Sequence, residues 1–321
     1  MAASMKVVLV TGSNKGIGKG IVETLFKTVN AAEWIIYLTA RNPEFGMKTI
    51  SELEGKGIHV KFHQLDIGCE KSRKDLKDYL VQEYGGLDVL INNAGIAFKN
   101  DSTAPFSEQA ELTLGTNFTD TLKMCLEFIP ILKLNARLVN VSSMMSVMTL
   151  KKLSGELYKR FLEPMTMSEL QNYMHDFVKA AKEDTLEHKG WPKQAYGISK
   201  LAVTKMTYIL AEEYRNDSRK ILINCCCPGY VDTDMSSADT PCYLATLPIG
   251  TETPYGEFLS NRNVRKEPVS FTLKINYKGL YFQVRTIQPE SRKYERDLRK
   301  RDTESKDMTK LISKNKDTNN W

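Results

Sequence analysis

The sequence predicts an α/β fold: a doubly wound parallel sheet in a single domain, followed by a C-terminal extension. Three observations predict it. Short apolar runs alternate with helical patterns from Val7 to Cys227, which is the signature of strands joined by crossover helices. The first apolar run opens into a glycine-rich loop and then a helix. The polar residues with chemical potential fall where apolar runs end, which in a parallel sheet is the ligand-binding edge. With 321 residues, 41% of them hydrophobic and 26% charged, the chain is long enough to bury a core of this kind.

The elements follow in order. Val7–Val10 is a first strand, Thr11-Gly-Ser-Asn-Lys-Gly-Ile-Gly18 a loop, and Ile21, Val22, Leu25, Phe26 and Val29 mark one face of a helix. This succession aims backbone N–H groups and a helix N-terminus at a phosphate. Gly12 permits a tight turn, Gly16 lets the backbone approach a pyrophosphate, and Gly18 allows close packing of the helix. The spacing is GxxxGxG, where classical dinucleotide folds have GxGxxG. A second strand, Trp34–Thr39, ends in Ala40-Arg41, so that Arg41 lies where an adenosine ribose would be. An acid there holds a 2′-hydroxyl, whereas a cation suits a 2′-phosphate. Together with Lys15 this favours NADP over NAD, although two solvated surface cations would look the same.

Residues 43–57 read as a helix, and His59–Leu65 as an alternating strand ending at Asp66-Ile67, where a sheet of this kind meets its ligand. A charged helix over Ser72–Tyr84 precedes a strand, Leu87–Ile91, which runs into Asn92-Asn-Ala-Gly95. A structural role suits Asn92. The pattern then predicts one long helix, roughly Glu108–Leu134, with Asn117 in its apolar-rich middle, and a fifth strand, Ala136–Val141, ending at Ser142-Ser143. After 52 further residues comes Tyr196-Gly-Ile-Ser-Lys200. On a helix the phenol and the ammonium share one face, and a nearby cation favours phenolate, moving the proton toward a useful range. A sixth strand, Ile221–Cys227, ends in Pro228-Gly-Tyr-Val-Asp-Thr-Asp-Met235.

TGSNKGIG, NNAG, VSS, YGISK and PGYVDTDM, in this order, resemble the short-chain dehydrogenase/reductase superfamily, whose fold is Rossmann-like. FHQLDI, NNAGIAFK, NVSSMMSV and GWPKQAYG are similar to the monomeric NADPH-dependent carbonyl reductases, over about residues 5–264. The resemblance implies hydride transfer from NADPH to the carbonyl of an aldehyde, ketone or quinone. It implies Tyr196 as general acid, Lys200 as the group that lowers the tyrosine pKa and holds the nicotinamide ribose, and Ser143 as the donor polarising the substrate carbonyl. Asn117 would support a water relay to the lysine. Gly12, Asn14, Lys15, Gly16, Ile17, Gly18 and Arg41 would cradle the phosphates, Asp66 and Ile67 the adenine, and Asn93, Pro228, Val231 and Thr233 the nicotinamide half. Tyr230 would join Ser143 and Tyr196 in contacting substrate. No metal is implied. An extra helical segment, about Ser154–His188 within an insertion over 144–195, can cover the face that many superfamily members use for subunit packing, which implies a monomer.

Two features depart from that pattern. The stretch after Met235 is shorter than the one that usually closes the cleft, and Tyr230 stands where the carbonyl reductases often carry tryptophan. The altered segment leaves open a cofactor-binding or redox-sensing protein of the same fold. The chain also continues over 265–321, where residues 268–284 alternate well enough for a short hairpin and the remainder is too polar to offset its ordering entropy. That extension holds 15 Lys/Arg against 8 Asp/Glu, or +7, while residues 1–264 hold 30 against 31. The overall charge of +6 therefore belongs to the extension, and its mixed signs argue against a specific nucleic-acid partner. The six cysteines lack metal-ligand spacing and imply a reducing compartment. With no apolar run near the ~18 residues of a membrane helix and no signal peptide at the N-terminus, a cytoplasmic protein without a membrane partner is expected.

Overall fold

Strand and helix alternate from Lys6 onward in the computed structural model, which describes residues 5–99, 101–229 and 238–265. Strand β1 (Lys6–Val10), helix α1 (Gly16–Thr28), β2 (Trp34–Ala40), α2 (Pro43–Glu54), β3 (Lys61–Gln64), α3 (Glu70–Tyr84) and β4 (Leu87–Asn92) form the first half. Then come α4 (Phe106–Leu114), a π-helical turn (Gly115–Asp120), α5 (Thr121–Phe128) and β5 (Leu132–Val141). Helices α6 (Met144–Leu150), α7 (Gly155–Leu162) and α8 (Met167–Lys182) precede the long α9 (Ala195–Glu213), followed by β6 (Leu222–Cys227), α10 (Asp239–Ala245), β7 (Phe258–Ser260) and β8 (Asn263–Val264).

The strands form one sheet in the order β3-β2-β1-β4-β5-β6-β7-β8, parallel except for the β7–β8 pair. Strand order reverses between β1 and β4, and a ligand crevice opens at the C-terminal ends beside such a reversal. Helices cover both faces, so the strands read as continuous apolar runs. Along β1, Val7 and Leu9 enter the core shared with α3, α4, α8 and α9, while Val8 and Val10 enter the one shared with α1, α2 and α10. The same period of two divides the three cysteines of β6, with Cys226 on one face and Cys225 and Cys227 on the other. All six cysteines are free thiols.

The long helix expected over 108–134 is interrupted. It widens into the π-turn at Gly115–Asp120 and ends at Phe128, because Pro130 lies in the following tight turn, Ile129–Ile131, and cannot donate a helical hydrogen bond. β5 therefore starts at Leu132, ahead of the expected Ala136, with an irregular register opposite Leu87–Val89 and a left-handed residue at Asn135. The single helical segment expected over 154–188 is two helices. Ser154 caps α7, and a Thr166/Glu169 capping box starts α8. These helices are fastened by an aromatic cluster in which Trp191 meets Phe161 and Phe177 edge-on at centroid distances of 6.0 and 5.5 Å, and Phe177 meets Phe106 of α4 at 6.3 Å. α10 and β8 had no signal strong enough to predict them. The hairpin expected over 268–284 lies, with all of 266–321, outside the described residues.

Candidate active site

The glycine loop is held from beneath by side chains. Ser13 Oγ donates to Val10 O (2.8 Å) and accepts from Thr39 N (2.9 Å), while Thr49 Oγ1 donates to Asn14 O (2.8 Å). Gly12 has φ +58°, and a Cβ there would lie 2.9 Å from Ala94; a Cβ on Gly18 would meet Asn93 Nδ2 at 2.5 Å and Gly12 O at 2.6 Å. Both positions exclude a side chain. Gly16 is different: at φ +52° its missing Cβ faces no atom within 4 Å, so its open side is free for a ligand. It begins α1, whose N-cap residue Lys15 supplies no side-chain cap and whose first turn has no acid. The N–H groups of Gly16, Ile17 and Gly18 are those an anion would satisfy. Exposed Arg41 follows β2, and its backbone carbonyl accepts from Gln64 Nε2 at 3.1 Å. This cradle fits the phosphates of a dinucleotide with a 2′-phosphate.

Asp66 and Ile67 lie after β3. Asp66 Oδ1 accepts from Gly68 N (3.0 Å), and its own N–H is held by Ser72 Oγ (2.9 Å), so the carboxylate shapes the turn. The Ile67 side chain is buried in the core. Asn93 braces the glycine loop: its Nδ2 donates to Thr11 O (2.9 Å) and Gly12 O (3.1 Å), and its N–H reaches Thr11 Oγ1 (3.0 Å). Neighbouring Asn92 is buried between Asn140 Oδ1 (2.9 Å) and Cys125 Sγ (3.3 Å), a structural placement.

At the C-terminal end of β5 the two serines separate. Ser142 is buried, and its Oγ donates to Lys200 O (3.0 Å) and pairs with Thr204 Oγ1 (2.6 Å). Ser143 caps α6, accepting from Met145 N (3.1 Å), and its hydroxyl hydrogen-bonds Tyr196. Tyr196 and Lys200 both lie on the first turns of α9. Gly197 between them allows α6 to press on this helix, since a Cβ there would meet Thr149 Oγ1 at 2.0 Å.

The electrostatics differ from the sequence argument in one respect. Burial raises the Tyr196 phenol, and the hydrogen bond from Ser143 is what opposes the rise. Lys200 is not arranged to acidify it directly: the Nζ donates to Val141 O (2.8 Å) and lies 5.7 Å from the Tyr196 ring centroid. Buried almost completely, the ammonium is itself pulled down to about 8 by desolvation. Among the described residues it donates one hydrogen bond, to Val141 O, so two protons point at no described acceptor.

Asn117 occupies the π-turn, where such turns recur at functional sites. Its Oδ1 accepts from Ile96 N (2.7 Å), and its Nδ2 donates to Ile96 O (2.9 Å) and Ser199 Oγ (3.0 Å). Three participants escaped sequence reasoning. Thr11 and Ser199 carried a signal in their places beside Gly12 and within YGISK, while Thr204 lies one turn further on with nothing to mark it. Pro228 is buried just past β6, whereas Tyr230, Val231 and Thr233 lie outside the described residues. A cleft of about 680 Å³, lined by Leu222, Tyr243, Tyr255 and Glu257 among others, opens at the N-terminal end of the sheet and contains none of the predicted site residues. No group of His, Cys, Asp or Glu among the described residues is arranged to hold a metal, and no described helix is long and apolar enough to cross a membrane.

Comparison with known proteins gives a consistent set of relatives. The short chain dehydrogenase family matches residues 6–155 and 187–242. Carbonyl reductase (NADPH) 1 of Homo sapiens is 44% identical over 83% of this chain and 100% of its own length, and that of Bos taurus 45% identical over 82% and 99%. Among solved structures, salutaridine reductase from Papaver somniferum superposes with a TM-score of 0.69 at 27% identity, covering 79% of this chain and 99% of that one.

Proposed function

From the premise that this chain belongs to the short-chain dehydrogenase family, we propose that it is an NADPH-dependent carbonyl reductase acting on aldehydes, ketones or quinones. The observation that carries the reading is the meeting of Ser143, Tyr196 and Lys200 at one end of the sheet, next to a glycine cradle that is open at Gly16. Nothing at the site favours the alternative of a binding-only protein.

Bound NADPH would supply the hydride. The chain supplies the remaining steps. The N-terminus of α1, Lys15 and Arg41 hold the phosphates, with Asn14 and Ile17 completing the loop and Asp66 and Ile67 bordering the adenine. As hydride arrives, the carbonyl oxygen gains negative charge, and two preplaced donors meet it: the Ser143 hydroxyl and the Tyr196 phenol. Because burial raises the phenol, it holds its proton at neutral pH and is present as the acid form. Once that proton is given, the phenolate is stabilised by the Ser143 hydrogen bond, while the Lys200 charge, largely retained below about 8, is directed at Val141 O and the ribose side. The two Lys200 protons that meet no described acceptor suit a ribose diol. Asn117 has both Nδ2 protons engaged, so its part in a proton relay to Lys200 passes through an oxygen acceptor. Asn93 and Pro228 border the nicotinamide half, Asn93 acting through the loop it braces; Val231 and Thr233, assigned to that half by resemblance, and Tyr230, assigned to the substrate, lie outside the described residues.

The reductase domain is residues 1–264, and 265–321 is an extension to it. Helices α7 and α8, packed over α4 and α9, support a monomer, and six free thiols support a reducing, cytoplasmic setting. The test is consumption of NADPH with a quinone or an aromatic aldehyde, comparing wild type with Tyr196→Phe. Loss of a general acid lowers kcat on the order of 10²-fold or more. Wild type that binds NADPH but turns over no faster than Tyr196→Phe overturns the reading.

A further inference from the structure

We propose that Ser199 is a positioning residue for the reduction, clamping the helix that carries Tyr196 and Lys200 to the loop that follows β4 on the nicotinamide side. The inference rests on the reductase reading above and adds to it a residue that the catalytic set does not contain.

A hydroxyl has one proton, and Ser199 donates it to Tyr196 O at 2.8 Å. Its lone pairs are then turned outward and accept Asn117 Nδ2 at 3.0 Å. Both amide protons of Asn117 are committed in turn: the other Nδ2 proton goes to Ile96 O, and the Oδ1 accepts Ile96 N on one of its lone pairs. Gly95 makes this approach feasible, since its missing Cβ would lie only 3.1 Å from Asn117 Oδ1. The bonds form one chain from the Ile96 peptide through the π-turn to the first turn of α9. Ser199 is fully buried and Asn117 nearly so, so solvent cannot replace either partner.

The side of α9 that faces β5 is fastened separately. Ser142 reaches Lys200 O and Thr204, and Asn140 Nδ2 reaches Thr207 Oγ1 at 2.9 Å. Removing the Ser199 hydroxyl therefore leaves the helix attached to β5 while releasing it from the Ile96 loop. The fold survives, and what changes is the placement of Tyr196 and Lys200 against the nicotinamide side.

The test uses full-length Ser199→Ala with Ser199→Cys, which keeps the size and a weaker hydrogen-bonding group. Hydrogen exchange without cofactor should be faster by about 10-fold or more over residues 93–99 in the alanine variant, because a local clamp is lost. With NADPH and a quinone, kcat should fall by roughly 10- to 100-fold, the scale of a small misplacement of reacting groups, while NADPH affinity changes little. The alkaline limb of the kcat profile should move to higher pH as the Ser143–Tyr196 bond loosens, and the cysteine variant should recover part of kcat. Wild-type exchange over 93–99 overturns the clamp. So does a loss of activity that merely follows the loss of thermal stability, with the pH limb unmoved. If wild type itself shows no turnover, the reductase reading fails, and the exchange comparison still decides whether the clamp exists.

Discussion

Lys205 connects the helical insertion to the catalytic helix, and its protonation should be visible in the stability of the protein. The side chain leaves α9 two turns beyond Tyr196, is 2% exposed, and donates from Nζ to Phe161 O (2.9 Å) and Glu163 O (2.6 Å). Those are carbonyls at the C-terminal end of α7, which a helix cannot satisfy internally. Burial, reinforced by Arg160 and opposed by Glu163 and Glu169, pulls the ammonium down to about 7. An unfolded chain would hold the same proton to about pH 10.4. Between these values the unfolded state binds more protons than the native one, so stability rises with pH across the window and the gain is complete only near the upper value. From about pH 7 to about pH 9 this single group contributes roughly 2 kcal/mol of added stability.

Lys205→Met keeps the length and removes the charge. It leaves Phe161 O without its donor, a cost of about 1–3 kcal/mol at every pH, but it should lack the pH-dependent gain. Denaturant unfolding can be followed by the fluorescence of Trp191, which stacks edge-on with Phe161 of α7. The stability difference between wild type and variant should widen by roughly 2 kcal/mol between about pH 7 and about pH 9. Parallel curves would refute the reasoning, since they would mean that Lys205 titrates alike in the folded and unfolded chains.

Two further outcomes follow from the cofactor cradle. Gly18→Ala forces a Cβ onto Asn93 Nδ2 and the Gly12 carbonyl, both held by backbone, so thermal stability should drop by about 1–3 kcal/mol and NADPH affinity should fall with it; titration showing wild-type affinity contradicts the loop geometry. Arg41→Asp should weaken NADPH binding far more than NADH binding, because it removes a partner of the 2′-phosphate and adds repulsion. Equal losses for the two cofactors would remove Arg41 from that role.

Much of the fold was legible because a parallel sheet covered on both faces writes itself as uninterrupted apolar runs. Val7–Val10 and Leu222–Cys227 are buried throughout, and both stand out in the sequence against the loops on either side of them. Helix ends were less legible where the cause was not a residue type. The π-turn at Gly115–Asp120 has no composition that distinguishes it from the helix on either side, yet it is the turn that presents Asn117 to both Ile96 and Ser199. β8 depends on a two-residue antiparallel pairing with β7, too short to leave a pattern.

The chemistry of the site shows the same division. Residue identity and order mark which groups meet, because Gly12, Ser143, Tyr196 and Lys200 each occupy the end of a strand or the start of a helix. Charge balance is a different quantity. A phenol and an ammonium four residues apart on a helix suggest that the cation lowers the phenol, but that inference assumes the Nζ faces the oxygen. Here it faces Val141 O, and with Lys200 buried and Tyr196 partly so, desolvation dominates each of them and moves them in opposite directions: the phenol up, the ammonium down to about 8. Two groups that titrate close together in a free chain are thereby driven apart. The phenol keeps its proton through neutral pH, as a general acid must, while the ammonium begins to lose its charge near the pH at which a ligand on its remaining protons would help to hold it. Burial comes from tertiary packing, such as that of α6 onto α9 at Gly197, which a spacing of four residues cannot encode.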